Sequence, residues 1–447
     1  MRILFLTQYY PPETGAAQNR LSDLAKRLSK AGHHVTVLTA LPSYPKGEIY
    51  EGYRRRLTMT EEDAGIRIVR TWAYTTKKKS FFLRLLNYLS FTVLSLVVGW
   101  ATTEDSDVIF VESPPLFLGF SGYVLSRLKH AKFILNVSDL WPESAVVLGV
   151  LRNRRLIQWA TRAEEWLYRH ASLVTGQTQG IIDSIRRRCA ITPTHILTNG
   201  VAPEFLEEIA HVRISRTLLR ENFGFGQKFI VAYTGVHGLA QGLDTLLRSA
   251  DLLKGHREIQ FCFFGDGPEK PHLQSIVAER GLENVRFYSS LPACQMVQLL
   301  AAVDVSVVPL KRNDLFKGAL PSKLFEALGA GVPVVVALDG EAKELIEKSQ
   351  SGLLVEPENS EDMAQKIFRL HQDRELCRRL GENGRTFVCA HYNRKEIAKR
   401  FEQLIVAANS PDSAKPISGL ADGGSEEDAC PLPSDSSPRA LQTGNER

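Results

Sequence analysis

Short runs of β-branched and apolar residues alternate with stretches in which apolar positions recur every three or four residues, almost throughout the chain. The first pattern is that of strands buried on both faces and the second that of helices packed on a sheet. Their alternation predicts parallel sheets built from βαβ units. In the first half the predicted strands are Ile3–Thr7, Val35–Thr39, Ile66–Arg70, Val108–Glu112, Phe133–Val137 and Leu173–Gly176, with a weaker one at His195–Thr198. After Asn199-Gly200 a second series runs through Phe229–Thr234, Gln260–Gly265, Val285–Tyr288, Val305–Pro309, Val334–Ala337 and Leu353–Glu356. Two such series, each with its own helices, describe an α/β protein of two doubly wound, Rossmann-like domains facing each other across a cleft.

The join falls near 199–228, giving an N-terminal domain over 1–203 and a C-terminal one over 204–390. Helical sequence from about Glu361 to Ala408 closes the second domain, and its last segment, about 391–408, is expected to cross back onto the first. From Asn409 the chain turns to Pro, Ser, Gly, Asp and Glu with almost no apolar residue. Such a composition does not offset the entropy of ordering, so 409–447 is predicted to be disordered.

One apolar stretch breaks the rhythm. Residues 81–100 read FFLRLLNYLSFTVLSLVVGW, preceded by Lys77-Lys78-Lys79 and interrupted by Arg84 and Asn87. The uninterrupted part is shorter than the ~20 residues that span a bilayer. Three readings stay open: a helix buried on the sheet, an interfacial helix, or a spanning one. A second basic, Trp-bearing helix at 152–169 adds weight to surface contact, and together the two favour a protein peripheral to a membrane.

Composition narrows the chemistry. The 447 residues are 44% apolar, enough for two cores, and the net charge of +5 suits a phosphate-bearing partner but not nucleic acid. The six cysteines (Cys189, Cys262, Cys294, Cys377, Cys389, Cys430) form no CxxC and no metal-ligand spacing, so neither a metal site nor a cofactor is expected. The short apolar stretch after Arg2 runs into Tyr9-Tyr10-Pro11-Pro12 without the long core of a signal peptide, which makes a cytoplasmic location the expectation. No G-x-G-x-x-G succeeds the first strand and Gly-Lys never occurs as a dipeptide, which removes the support for hydride transfer and for a Walker-type NTPase. The first strand leads instead into a Pro/Gly loop that ends at Gly15, before a helical pattern. Gly15 serves either a simple turn or the approach of backbone N–H groups to an anion at the helix start.

The sharpest segment is Leu320-Pro321-Ser322-Lys323-Leu324-Phe325-Glu326-Ala327-Leu328-Gly329-Ala330-Gly331. Pro321 is tolerated in a first helical turn, and the glycines end the helix before a buried strand. Glu326 then lies about one turn inside the helix. A carboxylate there suits the two hydroxyls of a ribose, while the free N–H groups around Ser322 suit a diphosphate and Lys323 supplies positive charge.

This segment resembles the donor-binding helix of family 4 glycosyltransferases of the GT-B fold, and five further places agree in the same order. Tyr10-Pro11-Pro12-Glu13-Thr14-Gly15 resembles their first-strand loop, and Asp139-Leu140-Trp141-Pro142-Glu143 a motif of the branch resembling L-fucosamine transferases. Asn199-Gly200-Val201 is similar to the hinge motif, the run from Tyr233 through Gly235, Gly238 and Gln241 to Asp244 to the second domain's opening loop, and Gly265-Asp266-Gly267-Pro268 to a third marker of that domain. The resemblance covers about residues 1–408. It implies a retaining hexosyltransferase that takes a nucleotide-sugar donor, UDP favoured, and a lipid-linked glycan acceptor at the inner face of the cytoplasmic membrane, in building a bacterial surface polysaccharide. The base would lie near Gly265, Gly267 and Leu291, the ribose on Glu326, and the phosphates near Gly15, Gly235, Gly238 and the 320–323 turn.

Three positions depart from the family pattern. Gly318 stands where a first glutamate is common; Val236 or His237, and Gln241, stand where an Arg and a Lys usually grip the diphosphate; Ser138 stands where a His often precedes Asp139. These changes suggest an N-acetylated or 6-deoxy donor sugar. Charge developing on the departing phosphate calls for Lys323 and the helix N-terminus. Asp139 and Glu143, at the carboxyl end of a first-domain strand, either orient the acceptor hydroxyl or cap the next helix. The rival readings are a UDP-sugar 2-epimerase on the same fold and a non-catalytic nucleotide-sugar-binding scaffold.

Overall fold

The computed structural model describes residues 1–78, 81–147, 149 and 151–409. The disorder expected of the tail therefore falls, from residue 410, outside the described residues, as does Lys79 of the lysine run.

The first domain comprises β1 (Arg2–Leu6), α1 (Ala16–Lys30), β2 (His34–Ala40), β3 (Thr58–Asp63), β4 (Ile66–Thr71), α2 (Phe81–Thr102) and β5 (Val108–Ser113). It continues with α3 (Leu118–Leu128), β6 (Lys132–Val137), α4 (Glu143–Val147), α5 (Arg154–His170), β7 (Leu173–Gly176), α6 (Gln179–Arg188) and β8 (Thr194–Ile196). The strands form one eight-stranded sheet in the order β3-β4-β2-β1-β5-β6-β7-β8, parallel except for the edge strand β3. Alternation along β1 divides the core: Leu4 and Leu6 face α2, α3, α5 and α6, whereas Ile3 and Phe5 face α1 and the last helix of the chain.

The second domain opens with α7 (Pro203–Arg213) and α8 (Arg216–Asn222), and continues with β9 (Phe229–Thr234), α9 (Leu243–Leu252), β10 (Ile259–Phe264), α10 (Lys270–Arg280), β11 (Val285–Tyr288) and α11 (Ala293–Ala302). It is completed by β12 (Val305–Pro309), α12 (Ser322–Gly329), β13 (Val334–Ala337), α13 (Glu341–Ser349), β14 (Gly352–Leu354), α14 (Ser360–Gln372) and α15 (Arg374–His391). Its sheet is wholly parallel, in the order β11-β10-β9-β12-β13-β14, so the winding reverses between β9 and β12. The last helix, α16 (Arg394–Asn409), returns to the first domain, where Phe401 packs 5.1 Å from Phe110, ring to ring.

Differences from the sequence expectation are local. Strand β3, TMTEED, went unpredicted because it is an exposed edge carrying no apolar face. The join contains two helices, α7 and α8, whose Ile209 and Leu219 pack under the second sheet. The last predicted strand shifts back to Gly352–Leu354, with Glu356 outside it. The segment after Lys77-Lys78 is one helix, α2, with Phe91 and Ser95 fully buried against the sheet and α3. Its opposite face carries Leu86, Val93, Val97 and Trp100 outward, and the last three are 60%, 55% and 64% exposed. By length and composition α2 is the one described helix that could cross a membrane.

Candidate active site in the cleft

In a doubly wound sheet, ligands bind outside the carboxyl ends of the strands where the winding reverses. In the second domain that point lies between the loop after β9 and the segment joining β12 to α12. The loop turns at Gly235, whose φ of +128° is a left-handed conformation that favours glycine. It is clamped against the next loop by glycine contacts. A Cβ on Gly265 would meet the Gly235 carbonyl oxygen at 1.9 Å, and one on Gly267 the His237 carbonyl oxygen at 2.3 Å. These two glycines thus bring the loops after β9 and β10 into backbone contact. Gly238, by contrast, borders open space, its nearest neighbour being the Val236 side chain at 3.7 Å.

Helix α12 points its N-terminus at this loop. Pro321, expected inside the first turn, precedes the helix as its cap with extended backbone, and among the described residues no side chain caps the amides of Ser322 and Lys323. The Lys323 ammonium lies 4.0 Å from the centre of the Tyr233 ring and 3.4 Å from Gln241 Oε1. A Cβ on Gly235 would stand 3.0 Å from it. Burial pushes the Lys323 pKa down to about 7 despite the nearby Glu326. The Glu326 carboxyl, one turn on, is raised by burial, with Arg394 and Lys323 opposing. It makes no hydrogen bond among the described residues.

The substitutions in the usual phosphate-gripping positions now have a spatial account. His237 is fully buried among Tyr233, Phe263 and Phe287, with neither ring nitrogen hydrogen-bonded, and burial lowers its pKa to about 4. It is a neutral core residue. Val236 is the side chain that reaches the open cleft, and Gln241 accepts from Tyr233 and Lys323. The cation beside the loop comes instead from α12.

The first-domain wall is built differently. Arg20 of α1 donates to Glu112 Oε1 at 2.6 Å and to Ser138 Oγ at 2.8 Å, and Ser138 itself bonds Glu112. Asn136 donates to Glu112 Oε2 at 2.6 Å and accepts from Thr175 at 2.7 Å. Ser138, at the position where the resembling family often has histidine, is thus part of an ionic network at the ends of β5, β6 and β7. Glu13 ties down the first-strand loop by accepting from the amides of Tyr10, Ser43 and Tyr44, the last two at 2.7 Å. Gly15 precedes α1 in extended backbone with no side-chain cap.

Asp139 stands two residues beyond β6, and burial raises its carboxyl pKa against hydrogen bonds from Ser144 and the Leu140 amide. Glu143 starts α4 and pairs with Arg188 at 3.5 Å. Leu291 and Leu320 are half-buried, each on an apolar cluster of the second domain. The structure thus brings Gly235, Gly238, Lys323 and Glu326 together. It sets Gly265, Gly267 and Leu291 on the adjoining loops, and Asp139, Glu143 and Gly15 on the first domain. Sequence reading missed Arg20, Glu112 and Asn136, which are isolated letters until the strand ends converge, and Arg394, which no motif marks.

Two facing Rossmann-like domains, with a basic helix start and a desolvated carboxylate at the second domain's switch point, define a nucleotide-sugar-dependent transferase of the GT-B fold. Comparison with known proteins identifies it further. A glycosyl transferase 4-like domain matches residues 15–200 and the glycosyl transferases group 1 family matches residues 215–387. The chain is a glycosyltransferase composed of these two domains in that order. It is 28% identical over 381 residues to the putative colanic acid biosynthesis glycosyl transferase WcaI of Escherichia coli, covering 82% of this chain and 91% of that one. It is 26% identical to an alpha-D-kanosaminyltransferase of Streptomyces kanamyceticus, covering 61% and 70%. In fold it resembles sucrose-phosphate synthase from Thermosynechococcus elongatus, with a TM-score of 0.70 at 20% identity over 90% of this chain and 98% of that one. It also resembles Anabaena HepE in complex with UDP and glucose, with a TM-score of 0.67 at 19% identity over 90% and 99%.

Proposed function

We propose that the enzyme moves an N-acetylated or 6-deoxy hexosamine from a UDP-linked donor to a lipid-linked glycan, with retention, in assembling a bacterial surface polysaccharide. One observation carries the donor side: Lys323 and Glu326 share a turn of α12 at the switch point, both desolvated, with Lys323 against a glycine loop open at Gly238. The ribose hydroxyls would supply the partners that Glu326 lacks, and the diphosphate would face Lys323 and the amides of Ser322 and Lys323. The nucleotide base would rest by Gly265, Gly267 and Leu291. As the bond from the anomeric carbon to the β-phosphate oxygen breaks, its electron pair goes to that oxygen, where Lys323 stabilises the charge. The acceptor hydroxyl oxygen bonds the same face of the anomeric carbon, and its proton passes to the departing phosphate. Asp139, on the facing wall, orients that hydroxyl. Glu143, already paired with Arg188, shapes the helix beside it. The Asp139-to-Glu143 motif supports the branch resembling L-fucosamine transferases, and the name of the WcaI relative supports polysaccharide assembly.

The same reading places the enzyme peripherally on the inner face of the cytoplasmic membrane. Helix α2 packs on α3, and α3 on α5, where Trp159 is 55% exposed among the exposed Arg152, Arg154, Arg155 and Arg162. Apolar side chains ringed by cations suit an anionic bilayer. The inward face of α2, buried on the sheet, argues against spanning.

The test is UDP release from candidate donors with and without a lipid-linked acceptor. Acceptor-dependent release of UDP supports transfer. Interconversion of the donor would make the enzyme an epimerase, and neither result would make it a scaffold.

A further inference from the structure

The first four N–H groups of an α-helix have no acceptor within the helix, and in α6 their partners divide between the two domains. Ile181 N donates to the Thr178 hydroxyl at 3.3 Å, and the regular bonding of the helix begins one residue later, from Ile182 N to the Thr178 carbonyl at 3.1 Å. Gln179 N and Gly180 N donate instead to the two carboxylate oxygens of Glu341, at 3.1 and 2.5 Å. Glu341 is the first residue of α13, so its carboxylate crosses the cleft to cap a helix of the facing domain. A negative charge bonded to two amides at a helix N-terminus is a favourable, charge-assisted arrangement.

Two contacts accompany the cap. A Cβ on Gly180 would stand 3.0 Å from Gly318 Cα, so backbone meets backbone at a pair of glycines. Leu315, in the short turn Asp314–Gly318, packs into the first-domain cluster that holds Leu140, Ile181 and Ile185. That turn runs directly into residues 319–323 and so into Lys323, and it touches α4, which lies just beyond Asp139. Whatever fixes the turn therefore fixes the donor-side cation relative to the acceptor-side carboxylate. The contact also accounts for the glycine at 318. A Cβ there would rest 3.4 Å from Gly180 Cα and 3.7 Å from Glu341 Oε1, so a glutamate would press a second carboxylate against the first.

We infer that Glu341, acting with the Gly180–Gly318 contact, is a cross-cleft latch: a positioning residue that holds the donor-side turn against the first domain in the geometry that transfer requires. Its kinetic consequence rests on the transferase reading; the latch itself does not. The test pairs amide hydrogen exchange of the free full-length chain with donor kinetics and UDP calorimetry. In Glu341→Ala, exchange over 178–182 accelerates and kcat falls about 10-fold, while the UDP Kd stays within about twofold because its contacts lie in the second domain. Glu341→Gln, which keeps one acceptor oxygen, is intermediate, and Gly318→Glu reproduces the alanine variant without removing the carboxylate. Unchanged exchange and kcat in Glu341→Ala would overturn the latch. So would kcat, UDP Kd and thermal midpoint falling together, the mark of a merely structural role. If the wild type turns over no donor, the transferase reading fails while the exchange measurement still decides the latch.

Discussion

The two walls of the cleft carry similar numbers of charged groups and treat them in opposite ways. On the first domain, Arg20, Glu112, Asn136, Ser138 and Thr175 bond one another, and the buried pair at their centre is closed at 2.6 Å. On the second, Lys323 and Glu326 are driven toward neutrality by burial, and the carboxylate makes no hydrogen bond among the described residues. A paired network costs its desolvation once, on folding, and thereafter fixes a shape. A desolvated carboxylate without a hydrogen bond stores a cost that a bound ligand relieves. The comparison separates a wall built to keep its form from one built to receive charge.

The comparison breaks most sharply at Lys323. Replacing it with Met should lower kcat by about 100-fold or more, since it removes the cation facing the departing phosphate, and leave thermal stability unchanged or higher; steady-state kinetics and a melting curve check both. Arg20→Ala should do the reverse. It strands the Glu112 carboxylate and should cost about 3 kcal/mol of stability, read by denaturant titration, with UDP affinity in the surviving folded fraction unchanged.

A pH titration sharpens the same contrast. Lys323 has a pKa of about 7 in the free enzyme, and a bound diphosphate raises it, so donor binding takes up a proton. Affinity should be full below pH 7 and fall by up to about tenfold per unit above it, until the pKa of the complex is reached. Lys323→Arg, charged throughout, should flatten the profile. The smallest effect concerns the outer surface. Val93→Glu with Val97→Glu should abolish sedimentation with vesicles containing phosphatidylglycerol and leave turnover of a soluble acceptor unchanged, because both side chains point away from the core.

Much of this was legible before the structure because parallel strands buried on both faces write themselves as apolar runs. β9, β11, β12 and β13 fall on their predicted residues. The Pro321-to-Gly331 segment likewise declared a helix start and a carboxylate one turn in. Illegible features were those whose meaning is a relation between distant residues. Nothing in the letters shows that Gly265 and Gly267 serve backbone contact, that His237 is walled off by aromatic rings while Lys323 takes its place beside the loop, or that Glu341 reaches α6. The edge strand β3 was missed for the opposite reason, being polar on both faces. Arg84 and Asn87, which read as interruptions of an apolar helix, mark its polar side: Asn87 accepts from Gln8 at the end of β1, at 2.6 Å.

The proposed donor pocket hangs on the carboxylate of α12, which makes no hydrogen bond among the described residues, and calorimetric titration of UDP into wild type and Glu326→Ala tests it most directly. The account predicts that UDP affinity falls by about 100-fold as two ribose hydroxyls lose their acceptor, with the melting temperature held or raised. Wild-type affinity in the alanine variant would contradict it.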